Sequence, residues 1–93
     1  MKTTLSNARD ALRNALKNGA VGFASHAFDG MVDEGVDTFV VLDELHVALA
    51  SGDVKRNAGG RGRWIAFGLY LAIVFEVVRP GVVVITVFEA QGR

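Results

Sequence analysis

Tyr70-Leu71-Ala72-Ile73-Val74-Phe75-Glu76-Val77-Val78, then Arg79-Pro80-Gly81, then Val82-Val83-Val84-Ile85-Thr86-Val87-Phe88 is the stretch whose reading decides the fold. Val, Ile and Phe dominate both long runs, and such side chains suit a pleated, half-buried backbone. The tripeptide between them is a turn, because Pro presets φ and Gly admits positive φ. The pattern predicts two long strands, over 70–78 and 82–88, paired with each other. Their near-continuous hydrophobicity predicts a sheet packed on one face and partly covered on the other.

Upstream, 63–67 is a further β-rich run, Gly68 a turn or bulge, and 54–57 a first short strand. Ala58-Gly59-Gly60-Arg61-Gly62 between them reads as a flexible turn. Before Gly52 the period is helical. Leu5, Ala8, Leu12, Ala15 and Leu16 recur at helical spacing over 4–17, and Asn18-Gly19 is a stop. Residues 20–23 form a short apolar link, a single extended segment. Ser25 suits the N-cap of a helix to Glu34, broken by Gly35. Asp37 caps a helix over 38–51, where Val41, Leu45 and Ala48, with Leu42 and Leu49, make one apolar face. Helices first and strands after predict an α+β domain over 1–93, with two to three N-terminal helices on one face of a C-terminal antiparallel β-meander.

Composition agrees with one folded domain. The chain has 93 residues, too few for two cores, and is 51% hydrophobic against 22% charged, which opposes disorder. It has no cysteine, which excludes disulfides and thiolate metal sites and fits a reducing cytoplasm. The polar, helical N-terminal segment does not read as a signal peptide. The apolar run 64–78 is too short for a membrane span, is interrupted by Gly68, and carries Glu76, so no membrane partner is expected. Net charge is zero but uneven: residues 1–53 carry four basic and eight acidic residues, and 54–93 carry six basic and two acidic. That asymmetry marks either a polyanion-binding half or two halves that neutralise each other across the fold.

The residues able to do chemistry are few. His26 stands at a helix start; an imidazole serves as acid or base near neutral pH, and the plainer reading is a ring bonded to backbone. His46 falls on the Leu42–Leu49 stripe and reads as a packed core histidine. The two histidines lack metal-ligand spacing, so neither a metal nor a cofactor is expected. Lys55, Arg56, Arg61 and Arg63 interleave with glycines and precede Trp64. Guanidinium groups bind phosphate through paired hydrogen bonds and an aromatic ring stacks on a base, so this segment is the RNA- or phosphate-binding candidate; the alternative is a solvated hairpin loop. Glu76 falls on the face of Val74 and Val78, either at an exposed edge or in a shielded pocket. The hydroxyl of Thr86 could orient a phosphate, although Thr is ordinary in a strand.

Ser25-His26-Ala27, Met31, Gly35-Val36, Leu49-Ala50-Ser51-Gly52-Asp53-Val54, Arg61-Gly62-Arg63-Trp64 and Ile85-Thr86-Val87-Phe88 occur in that order. In these pieces, over roughly residues 20–90, the chain resembles a family of small bacterial domains of unknown function related to RelE- and BrnT-like toxins. The resemblance implies a RelE/BrnT-like fold and metal-independent cleavage of RNA by general acid–base chemistry, within a toxin–antitoxin pair. It implies RNA and an antitoxin protein as partners, and His26, Glu76 and Thr86 as catalytic positions. Where the family pattern has two arginines, this chain has Gly30 and Glu34, so the helix after His26 carries Asp29, Asp33 and Glu34 without a cation.

Two functions follow. One is a toxin-like endoribonuclease with His26 as acid or base and Arg61 and Arg63 as phosphate clamps. The other is a non-catalytic module that binds a protein partner or itself through its apolar strands. Under either, strands this apolar in so short a chain predict a homo-oligomer.

Overall fold

The alternation along the 70–88 stretch is realised in a five-stranded sheet. The computed structural model describes residues 4–57, 62–78 and 80–90. Its elements are α1 (Leu5–Asn18), β1 (Val21–Phe23), α2 (Ser25–Glu34), α3 (Thr38–Ser51), β2 (Val54–Arg56), β3 (Arg63–Phe67), β4 (Leu71–Val77) and β5 (Val82–Glu89). The strand order is β1-β5-β4-β3-β2. Strands β2 to β5 form the expected antiparallel meander. Residues 20–23 are more than a link: β1 pairs in parallel with β5, Val21 opposite Val82 and Phe23 opposite Val84, so the sheet is mixed. A three-residue strand is too short to show a period of two, and only the free edge of β5 gives it a partner.

Local chemistry sets the helix ends. Thr4 caps α1 by accepting from the Asn7 amide at 3.1 Å, and Asp37 caps α3 by accepting from the Val40 amide at 3.0 Å. Ser25 is not a cap but the first residue of α2, after an Ala24 N-cap that makes no side-chain bond. The Ala24 amide instead donates to the Val84 carbonyl at 2.9 Å, which prolongs the β1–β5 pairing up to the helix. All three helices end at glycines with left-handed φ: Gly19, Gly35 and Gly52.

The three helices cover one face of the sheet. Ala8, Leu12 and Ala15 of α1, Ala27 and Met31 of α2, and Val41, Leu45 and Ala48 of α3 pack with Trp64, Ile73, Phe75, Val82, Val84 and Val87 in one buried cluster. A bulge in β5 makes that cluster possible. Val74 pairs with Thr86 but Phe75 pairs with Val84, so Ile85 is an extra residue without a partner in β4. Strict alternation would place Thr86 and Phe88 on the face of Val82 and Val84. The bulge turns them away and brings Val87 to the core instead.

Two close approaches lock helices to sheet. The Glu44 side chain is 5% exposed on α3 and accepts three backbone N–H groups of the β3–β4 turn: Leu69 at 3.1 Å, Tyr70 at 2.7 Å and Leu71 at 2.7 Å. A Cβ at Gly68 would lie 2.6 Å from the carboxyl carbon of Glu44, so only glycine lets the turn fold over it. On α2, a Cβ at Gly30 would overlap the Val87 carbonyl oxygen and lie 3.2 Å from the Val87 nitrogen. The position where the family pattern carries arginine is thus a contact between helix and strand backbone in this chain.

Glu44→Ala is expected to cost about 3 kcal/mol in urea unfolding, because three amides lose a charged acceptor and the Leu71 amide is left buried. Glu44→Gln is expected to cost less, about 1–2 kcal/mol, since its one remaining oxygen still accepts from Tyr70 and Leu71 while its NH2 faces the Leu69 donor. Gly30→Ala gains roughly 1 kcal/mol of helix propensity but forces α2 off β5 at about 1–3 kcal/mol. A net loss of stability is expected, and an unchanged or raised midpoint would contradict the packing described.

Candidate functional site

Among the described residues, the second face of the sheet has no helix on it. Register places its side chains in three rows. Arg63, Glu76 and Val83 stand side by side across β3, β4 and β5, with Gly22 of β1 next to Val83. The next row is Lys55, Ile65, Val74 and Thr86, and the third Phe67, Ala72 and Phe88. None of these side chains joins the core cluster. Ala72 and Val74 are 0% and 4% exposed because taller neighbours in the sheet flank them, whereas Phe88 is 43% exposed.

The face is apolar with a few charges along its margin. Lys55 lies over the Phe67 ring, 5.7 Å from its centroid, and 4.0 Å from the Asp53 carboxylate. Arg63 Nε donates to Glu76 Oε2 at 2.9 Å. Both partners of that pair are partly solvated, with side chains 42% and 35% exposed, so the pair is weak and a ligand could separate it at small cost.

This geometry sorts the residues expected to form a site. Lys55, Arg63, Glu76 and Thr86 share the open face: Arg63 is opposite Glu76, Thr86 lies diagonally from Glu76 on the adjacent strand, and Lys55 stands on β2, three strands from Thr86. Glu76 shares its face with Val74 as expected and sits in an ion pair, not in a closed pocket. Trp64 departs from expectation. It is 1% exposed in the core on the helix side, with the Arg56 guanidinium 4.5 Å from its ring centroid, so it offers no open platform for a base. One residue along a strand reverses the face, which is why Trp64 and Arg56 part from Arg63 and Lys55. Arg61, with the turn over 58–61, lies outside the described residues.

His26 is exposed in the first turn of α2 and, among the described residues, makes no hydrogen bond or ion pair. The reading of a ring bonded to backbone therefore does not hold. His46 is exposed as well, not packed in the core. Helix α3 turns Val41, Glu44, Leu45 and Ala48 inward, and the residue after Leu45 points away. Among the described residues no group of His, Asp or Glu is arranged to hold a metal ion, and no helix is long and apolar enough to cross a membrane.

Sequence reasoning missed Glu44. It was legible as an acidic residue amid the inward positions of α3, between Val41 and Ala48, where a carboxylate needs buried donors.

A double-mutant cycle on Arg63 and Glu76 should return a coupling of about 0.5 kcal/mol that falls as salt rises. A value above about 2 kcal/mol would mean that the pair is structural and not available to a ligand. Comparison of the chain with protein-family models, curated proteins and solved structures finds no match, so the reading of this face rests on its own chemistry.

Proposed function

We propose that the protein is a non-catalytic interaction module that self-associates by laying the open face of its sheet against that of a second copy. The observation that carries this reading is the apolar surface formed by Ile65, Phe67, Val83 and Phe88 around the recessed Val74 on three neighbouring strands. Strands of 3, 8, 7, 5 and 3 residues, at about 3.3 Å per residue and about 4.8 Å spacing, give a face of roughly 400 Å². Two such faces together reach about 800 Å², below the standard interface size, which supports a weak, reversible association. A two-fold pairing requires a patch complementary to itself. An apolar area with the Arg63–Glu76 pair at one margin and Lys55 on the edge strand allows such a pairing.

A second reading is favoured by one observation: Lys55, Arg63, Glu76 and Thr86 share this face. It is RNA cleavage by a RelE/BrnT-like domain. Arg63 would hold the phosphate and Thr86 would orient it, Glu76 would take the 2′-hydroxyl proton, water would protonate the leaving 5′-oxygen, Lys55 would meet a flanking phosphate, and an antitoxin would cover the apolar surround. Against the first reading it makes an opposite demand, since a face buried in a dimer is closed to RNA.

Light scattering across micromolar concentrations is expected to give a mass rising from 9.9 kDa toward twice that value. Ile65→Lys with Phe88→Lys should hold the protein at monomer mass with its helical and strand content unchanged. Labelled total RNA incubated with the wild type should stay intact, as it should with His26→Ala. A monomer at all concentrations overturns self-association. If the wild type cuts RNA and Glu76→Gln slows cutting by about a hundredfold or more, the ribonuclease reading replaces it.

A further inference from the structure

A cleft of about 350 Å³ opens on the helix side at the far end of the sheet, away from the open face. Val36, Val40, Tyr70 and Leu71 supply apolar walls, and Glu34 and Asp43 stand at its edge. Its volume falls in the range that admits one large side chain. The β3–β4 turn that Glu44 holds forms one wall, so the shape is built by the buried clasp and does not depend on a loose loop. Leu69 and Tyr70 at that turn are 70% and 74% exposed, two large apolar groups held outward by a fixed backbone.

Among the described residues the charged groups that line it, Glu34, Asp43, Glu44 and Glu89, are of one sign. Among the described residues neither Glu34 nor Asp43 has a hydrogen bond or a cation. The acidic end of α2 is also misplaced by the rules of helix stability. Asp33 and Glu34 occupy the last turn, where the backbone carbonyls already make a negative pole, and no basic residue sits there. A local choice that costs stability without a compensating contact is expected where a surface serves recognition. Apolar walls with a uniformly anionic edge suit a ligand with an apolar body and flanking positive charge.

We propose that this cleft is a docking site for a cationic peptide segment of a partner protein. One apolar or aromatic side chain enters between Val40 and Tyr70, and lysine or arginine side chains beside it meet Glu34 and Asp43. This surface is separate from the open face and is tested without reference to self-association.

The probe is a short synthetic peptide with a central tryptophan flanked on each side by lysine and arginine, beside a counterpart with glutamate for every cation. Amide chemical shifts of the full chain report where each binds. The cationic peptide is expected to move Val36, Val40, Tyr70 and Leu71, and the acidic one to move none of them. Glu34→Gln with Asp43→Asn, both outside the core, should weaken binding about tenfold, while Asp10→Asn on α1 leaves it unchanged. Rising salt should weaken it for the wild type more than for the double variant. The proposal is overturned if the cationic peptide leaves the cleft amides still, if both peptides bind alike, or if the shifts fall on the open face. It is overturned too if free spermidine displaces the peptide at equal concentration, which would mark a site for small polyamines.

Discussion

A carboxylate on the inner side of a helix sets the geometry at one end of this protein. Among the described residues Glu44 has no cation beside it; its partners are three successive backbone N–H groups of the β3–β4 turn. Hydrogen bonds to an ionised acceptor are stronger than neutral ones, and three of them offset the cost of taking the charge out of water. The turn is thereby held to α3, with Gly68 making room for the contact. Strands β3 and β4 leave that turn with their register against the helices already decided, and the cleft beside it takes its wall from the same backbone.

The second constraint is one of coverage. Three helices suffice for one face of five strands, and the chain spends all three on the same face. Burial of Trp64, Phe75 and their neighbours supplies the core, while Ile65, Phe67, Val83 and Phe88 are left on the other side among Lys55, Arg63, Glu76 and Thr86. In a monomer those side chains shield one another laterally, as Ala72 and Val74 show, and among the described residues no helix lies across them. His26 on α2, by contrast, has no bonded partner among the described residues. The weak Arg63–Glu76 pair fits the open face, because it keeps two charges satisfied without binding them firmly.

From the sequence alone, Gly30 reads as the absence of a cation on α2. In the fold it is a point of contact between α2 and the backbone of β5, where any larger residue would push the helix away. Glu34 lies at the edge of the cleft and gives that end of the molecule its negative charge. The two residues therefore have different physical meanings.

Helix and strand positions were legible in the sequence because each reports its own period, and because Thr4, Asp37 and the glycines at 19, 35 and 52 act within a few residues of themselves. The α+β class and the meander follow from that local chemistry. The face of Glu76 was legible from alternation along β4, but the faces of Thr86, Val87 and Phe88 in β5 were not. One bulge at Ile85 reverses the alternation, and its cause is the packing of Val84 and Val87 on the helices. The pairing of β1 with β5, the burial of Trp64, the exposure of His46 and the grip of Glu44 on a turn 25 to 27 residues away are likewise decided only when distant segments meet. A sequence states the preferences of neighbours along the chain; these contacts are between residues that become neighbours only in the fold.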